Sequence, residues 1–184
     1  MSVRIVIDET GIEEVAQRLG EIRNKAPNAI SNALNRSLTN VSATLKKEVR
    51  SQYHVKAGDI QKTLKMKRAT AAKLSAEVRS SGSPISLDKF KVSPKTANPR
   101  RKSQLKIAVK KNGTKQILGA FIANISGNKV FKRVGKHRLP IEKLFGPSVP
   151  QMASEEGIVD TVNTKAAQTY AQRLEHEINR LLAQ

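Results

Sequence analysis

The amino-acid sequence predicts an α+β protein, in which an antiparallel β-sheet of about five to six strands, rich in hairpins, carries a long N-terminal and a long C-terminal helix packed on it. Three observations support this prediction. Apolar residues recur every three or four positions over residues 30–53 and again over 158–181, which is typical of one face of a helix. Between these stretches apolar and polar residues alternate, as in strands with one face in water. We expect one domain over residues 1–184, because this length suits a single core.

The N-terminal part, residues 1–52, is predicted to be mainly helical. A short strand at residues 3–7 precedes a first helix, and Thr10 and Glu13 have the spacing of a capping box at its start. Pro27 then marks the first turn of a longer helix, where proline is tolerated. Its apolar stripe predicts a face packed on the core, formed by Ile30, Leu34, Leu38, Val41, Leu45, Val49 and Tyr53.

The middle part, residues 53–136, is predicted to form the sheet after a short helix at 58–64. The predicted strands are 64–67, 74–79, 105–110, a return strand at 116–122, and a hairpin of 120–125 with 130–134. Asn112-Gly113 predicts a tight hairpin turn, because both residues accept a positive φ. Residues 90–103 contain two prolines and show no periodicity, so we expect a mobile loop there.

The net positive charge of the chain arises in its middle. The whole chain has 34 Lys+Arg and 15 Asp+Glu, for a net charge of +19, and residues 53–148 account for all of that excess. Such a patch attracts polyanions, and the sequence has no base-reading motif, so we expect it to contact DNA without sequence preference or an acidic protein partner. The candidate contacts are Arg100, Arg101, Lys102, Lys129, Lys132, Arg133, Lys136 and Arg138.

The residue types that carry catalysis or bind metals form no convincing pattern. The chain has no Cys, and His54, His137 and His176 are far apart in sequence. The Ser-x-x-Lys spacings at 86–89 and 103–106 leave a Ser/Lys hydrolase as a remote alternative, although chance explains them in a lysine-rich segment. We therefore expect no enzyme, no cofactor and no small-molecule substrate. The sequence also shows no signal core and no apolar stretch of the ~20 residues that a membrane span needs, so we expect no membrane partner.

Residues 137–152 (HRLPIEKLFGPSVPQM) are too unusual for composition to explain. They resemble the signature stretch of the minor tail protein Z family, tail-completion proteins of long-tailed bacteriophages and prophages. The layout over roughly residues 10–182 is similar to that family, ending in a terminal helix within 153–184. Two prolines and a glycine in 145–150 argue against a helix or a central strand, so we expect a rigid stretch of chain there. The resemblance implies that this stretch is an arm at a subunit boundary. The alternative is a buried connection between the sheet and the last helix.

The resemblance implies a structural virion protein that completes the head-proximal end of the tail, as a ring around the DNA channel, for tail assembly and head–tail joining. The implied partners are other tail and neck proteins, copies of the chain in a hexameric ring, and the passing genome. The implied location is the virion tail, after assembly in the host cytoplasm. The expected ring interface consists of Leu144, Phe145, Gly146, Pro147, Val149 and Pro150. The alternative function is that of a small nonspecific DNA-binding protein of a mobile element.

Overall fold

The computed structural model describes residues 2–8, 11–98, 100 and 103–183 of the chain, and it confirms the α+β class. The helices are α1 (Ile12–Leu19), α2 (Ala26–Gln52), α3 (Ala57–Gln61), α4 (Val149–Ala153) and α5 (Glu156–Leu182). The strands are β1 (Ser2–Asp8), β2 (Leu64–Lys67), β3 (Ser75–Ser81), β4 (Lys91–Ser93), β5 (Leu105–Ala108), β6 (Lys115–Ile117), β7 (Ala120–Asn124), β8 (Asn128–Arg133) and β9 (Ile141–Lys143).

The two long helices, α2 and α5, pack against each other along their length. The predicted apolar stripe of α2 is buried, and a second row of small residues, Ala29, Ala33 and Ser37, is buried as well. These residues are four apart and therefore share one face of the helix. Ser37 Oγ in this row donates a hydrogen bond to the backbone oxygen of Ala166 in α5 at 2.9 Å. Helix α2 also contacts α1, β1 and β3, so it lies at the centre of the core.

The start of α1 differs from the predicted capping box. Thr10 lies outside the described residues. Gly11 occupies the N-cap position with a φ of 96°, and none of the described side chains caps the helix there. A short 3-10 turn over Gly20–Lys25 then leads into α2, where Pro27 lies in the first turn as predicted.

Within the described residues, the strands form three separate three-stranded antiparallel sheets, in the orders β1-β3-β2, β4-β5-β6 and β7-β8-β9. The single sheet expected from the sequence is therefore divided. The predicted return strand 116–122 is wrong, because Gly119 takes a φ of 73° between β6 and β7. An L-residue rarely adopts this conformation, whereas glycine does, and it ends one strand so that the next joins a different sheet.

Both predicted hairpins exist, but only one of them has the predicted turn. In the β5–β6 hairpin Ile107 pairs with Lys115, so the connection is long and Gly113 lies outside the left-handed region. The tight Asn-Gly turn is therefore wrong, although the hairpin exists. Between β7 and β8 the chain turns where predicted, and Ser126 and Gly127 take φ values of 54° and 93°.

The mobile loop expected over residues 90–103 is wrong for the first part of this range. These residues begin with the end of a short 3-10 turn and with β4, which pairs with β5. Phe90 and Val92 are buried in the core, on either side of the exposed Lys91. Two apolar residues are too few to show a strand period against a background of prolines and lysines. Residues 94–98 have no regular structure.

Candidate functional site

The segment 137–152 is hydrogen-bonded to the rest of the chain from Pro140 onward. Strand β9 pairs with β8, and beyond it the Leu144 N–H donates to the Val130 carbonyl at 2.9 Å. On the other side, the Gly146 N–H donates to the Ile85 carbonyl at 2.7 Å. The backbone around residue 145 is thus held between β8 and the residues just before β4, and it is not a free arm.

The end of this segment is helical and buried. Val149 and Pro150 lie in the first turn of α4. Proline is tolerated there because N–H groups of the first turn have no carbonyl partner within the helix. Ser148 caps that helix, because its hydroxyl accepts from the Gln151 N–H while the Gln151 side chain accepts from the Ser148 N–H. The expectation that 145–150 excludes helix is therefore wrong at its end. The Ser-x-x-Gln spacing of a capping box was the signal that could have predicted it.

Phe145 is the exposed member of the six expected interface residues. It keeps 53% of its surface accessible, and Lys143 Nζ lies 4.9 Å from its ring centroid. Val149 and Pro150 are buried inside the chain, and Leu144 packs partly against the core. A neighbouring molecule could therefore contact the Phe145 ring without disturbing the fold.

The basic residues of β8 are divided between the two faces of their sheet. Because alternate strand residues share a face, Lys129 and Arg133 point to one side and Lys132 to the other. The Arg133 guanidinium lies over the ring of Phe121, 5.1 Å from its centroid. Lys132 pairs in register with Glu142 of β9. The β8 residues thus do not form one continuous basic face.

The remaining expected contacts lie in two connections. Lys136 and Arg138 are exposed in the segment between β8 and β9, and Arg100 is exposed after β4. Arg101 and Lys102 lie outside the described residues. Residues on both sides of them, Asn98 and Ser103, line a cavity of about 390 Å³ together with Arg133. The structure thus brings Asn98 and Ser103, which flank the first basic cluster in the sequence, next to Arg133 of the second.

A cluster of three side chains that sequence reasoning missed ties the β5–β6 hairpin to both long helices. Lys110 Nζ pairs with the carboxylate of Glu155, at the start of α5, and lies 5.4 Å from the ring centroid of Tyr53, at the end of α2. Hydrogen bonds from Lys110 and Tyr53 lower the pKa of Glu155 below its ordinary value. Burial, and then the bond to Glu155, raise the pKa of Tyr53. The partners are at least 45 residues apart, so no local pattern could reveal the cluster.

An apolar groove of about 730 Å³ lies beside this cluster. Three lysines, Lys110, Lys115 and Lys132, also line it, and the side chain of Leu118 in its wall is 72% exposed. Its apolar walls include Tyr53, Leu87, Ile107, Ile117, Leu118 and Pro147. Hydrophobic sequence patterns did not indicate this groove, because its walls come from separate elements.

The serine and lysine of the 86–89 spacing are engaged with other partners. Ser86 donates its hydroxyl hydrogen to Asp88, and Lys89 Nζ pairs with Asp59 at 3.0 Å. Across the described parts of the chain, no group of three His, Asp or Glu side chains is placed to hold a metal ion. No helix within the same residues has both the length and the apolar composition required to cross a membrane.

Comparison with known protein families gives a match over most of the chain. The sequence model of the family described as prophage minor tail protein Z (GPZ) matches residues 10–184, which include every element after β1. No curated protein and no solved structure matches the chain.

Proposed function

Because the chain belongs to the prophage minor tail protein Z family, a family of structural phage tail proteins, we propose that it completes the head-proximal end of a phage tail. In this proposal several copies, six if the ring follows a hexameric tail, surround the channel through which the genome passes. The ring is needed for tail assembly and for joining the head to the tail. Each copy is one domain that assembles in the cytoplasm of the bacterial host and remains in the virion tail.

The observation that carries this proposal beyond family membership is the presentation of Phe145. Its backbone neighbours are held by Val130 and by Ile85, while its ring stays 53% exposed. An aromatic side chain on a fixed backbone loses little conformational freedom when it binds. Aromatic anchors of this kind dominate the energy of protein interfaces. The Phe145 ring therefore suits contact with a neighbouring subunit or tail ring.

The charge of the chain supports an assembly around a polyanion. Each copy carries +19, so copies in a ring repel each other unless negative charge compensates them. Genome phosphates in the channel would supply that charge, and so would an acidic neighbouring ring. Contacts through phosphates need no base-reading motif, which agrees with the composition of the sequence.

The test combines deletion with imaging of the parent phage. Particles made without this chain are expected to have tails without a completed head-proximal end, and supply of the wild-type chain is expected to restore joined particles. Cryo-electron microscopy of the neck is expected to show the chain as a closed ring around the channel. Joined, infectious particles without the chain would contradict the proposal. If the chain were found on host DNA and not in particles, the alternative DNA-binding function would replace it.

A further inference from the structure

A strongly basic cleft lies at the C-terminal end of α2, away from the basic residues that the sequence singled out. It is shallow and open to solvent, with a volume of about 320 Å³, and its walls come from the end of α2, the connection to α3, the segment around β4 and the β5–β6 connection. Among the described residues, six cationic side chains line it, and all of them are exposed to solvent: Arg50, Lys56, Lys89, Lys91, Lys95 and Lys111.

The walls of the cleft are fixed to each other by backbone hydrogen bonds. The Lys111 N–H donates to the Gln52 carbonyl at 2.8 Å, and the His54 N–H donates to the Val109 carbonyl at 2.9 Å. These bonds hold the β5–β6 connection against the end of α2. The cations therefore converge because the fold places them there, although they are up to 61 residues apart in the sequence.

The positive charge in the cleft is largely uncompensated. None of the described residues that line it is Asp or Glu, and Lys89 is the one of its six cations that forms a salt bridge within the described part of the chain, with Asp59. His54, which also lines the cleft, has a pKa below its ordinary value because of burial and then because of the charges of Lys91 and Lys111. The presence of Arg50 near the last carbonyls of α2 can be explained locally, because a cation stabilises the C-terminus of a helix. Stabilisation of this helix end does not explain the five lysines, which come from other segments.

We propose that this cleft binds the sugar–phosphate backbone of nucleic acid. Lysine is a common phosphate ligand that acts as a compact point charge, and lysine and arginine are among the groups with which proteins contact the DNA backbone. Protein interfaces are instead depleted of lysine and anchored by exposed aromatic side chains. Five of the six cations here are lysines, and the aromatic residues in the walls, Tyr53 and Phe90, are buried. The composition of the cleft thus favours phosphate over an acidic protein segment.

The proposal can be tested on the purified chain, independently of the proposed role in the tail. The readout is the affinity for a fluorescent duplex of random sequence, measured over a series of salt concentrations. In the cleft variant three lysines from three different walls are neutralised together: Lys56→Gln, Lys91→Gln and Lys111→Gln. In the control variant three exposed lysines outside the cleft are neutralised, so that the net charge is the same: Lys25→Gln, Lys65→Gln and Lys73→Gln.

The cleft variant is expected to bind more weakly and to lose about 0.9 from the log–log salt slope for each phosphate contact removed, or roughly 2 to 3 for the three lysines. The control is expected to keep the wild-type slope. Equal slopes for the two variants would overturn the proposal. A polyglutamate peptide tests the other occupant, because loss of peptide binding in the cleft variant with unchanged DNA binding would assign the cleft to an acidic protein and overturn the proposal as well.

His54 provides a second readout that does not depend on the variants. Bound phosphates would offset the charges of Lys91 and Lys111, so the pKa of His54 in an NMR titration is expected to rise when the duplex is added. The signal of His176, on α5, serves as the reference. An unchanged His54 titration in the complex would contradict phosphate binding in the cleft. Failure of these tests would leave the role in the tail intact, whereas complete particles without the chain would contradict that role and not the cleft.

Discussion

The backbone of Gly146 lies directly against the ring of Phe90. A Cβ atom on Gly146 would lie 2.7 Å from Phe90 Cε2 and 3.2 Å from Leu87 Cδ2, closer than the separation at which carbon atoms normally pack. Phe90 is only 6% exposed, so its ring cannot move aside without disturbing the core. The glycine is therefore needed for the close approach that fixes the backbone on one side of Phe145.

We expect Gly146→Ala to lower the free energy of unfolding by about 1–3 kcal/mol, as overpacking of a core does. Denaturation by urea measures this change. Gly157 supplies the matched control, because it lies in the first turn of α5 and a methyl group added there would have no neighbouring atom within 4 Å. There Gly157→Ala is expected to raise the free energy of unfolding by about 0.4–1 kcal/mol, since it restricts the unfolded chain. Equal stability of Gly146→Ala and wild type would show that Phe90 is not tightly packed.

The contact between the long helices should dominate the stability of the chain. Leu38 of α2 and Ile178 of α5 are each at most 1% exposed. Leu38→Ala and Ile178→Ala are each expected to lower the free energy of unfolding by roughly 2–5 kcal/mol, because each leaves a cavity. Leu118→Ala is the control, since that side chain is 72% exposed. The proposal of a single domain further requires one cooperative transition, so two separate thermal transitions in the wild type would contradict it.

The parts of the fold that could be predicted from the sequence are those with long local periods. The stripe from Ile30 to Val49 predicted α2, because a helical spacing that repeats over so long a stretch is hard to obtain by chance. Strands of three residues, such as β4 and β9, carry too few side chains to show a period. Gly119 could not be recognised as a break between sheets, since a glycine in a strand pattern is equally typical of a bulge.

The candidate site was harder to predict from the sequence than the long helices. Phe145 could be selected from the sequence because large aromatic residues are rare in this chain. The basic cleft could not, because its walls meet only after β4 and the β5–β6 connection pack against the end of α2. The hydrogen bond from the Lys111 N–H to the Gln52 carbonyl holds two of these walls together. Nothing in the sequence around either residue predicts that contact.

The cluster of Tyr53, Lys110 and Glu155 should make stability depend on pH. The folded pKa of Glu155 is depressed, so its contribution is present above its ordinary value of 4.5 and is lost as the pH falls through the folded value. Glu155→Gln should therefore be less stable than wild type at neutral pH, and the difference should shrink in acid. Thermal unfolding of both proteins across that range measures it. A difference that stays constant with pH would show that the ion pair is not its cause.

The same cluster predicts a separate effect in alkali. The folded pKa of Tyr53 is raised, so its contribution is complete below its ordinary value of 10 and declines as the pH rises above it, when the unfolded chain releases this proton first. Tyr53→Phe keeps the ring beside Lys110 and removes the hydroxyl. We expect the alkaline loss of stability to be smaller in Tyr53→Phe than in wild type. Parallel pH curves for the two proteins would contradict this assignment.

The exposed ring of Phe145 is expected to matter for assembly and not for the stability of the isolated chain. Phe145→Ala is expected to leave the melting temperature of the purified chain near that of wild type, because the backbone on both sides is held by main-chain hydrogen bonds that the substitution does not remove. In assembly it is expected to weaken the contact by about 2–4 kcal/mol, as the loss of an aromatic anchor does. The measurement is the fraction of completed tails when the variant is the only copy. Leu139→Ala is the control, since Leu139 is 67% exposed in the same segment.

Comparing Phe145→Ala with Gly146→Ala distinguishes loss of the aromatic ring from disturbance of the backbone that holds it. If Phe145 is an anchor, Phe145→Ala lowers tail completion at unchanged stability, whereas Gly146→Ala lowers stability first and completion as a consequence. If the segment is only an internal connection, Phe145→Ala melts early or supports a normal yield of infectious particles, and either result contradicts the anchor. The Lys143 ammonium beside the ring makes a further distinction, because Lys143→Met keeps an apolar neighbour and removes the charge. Normal tails from Lys143→Met together with defective tails from Phe145→Ala would assign the contact to the ring itself and not to the cation beside it.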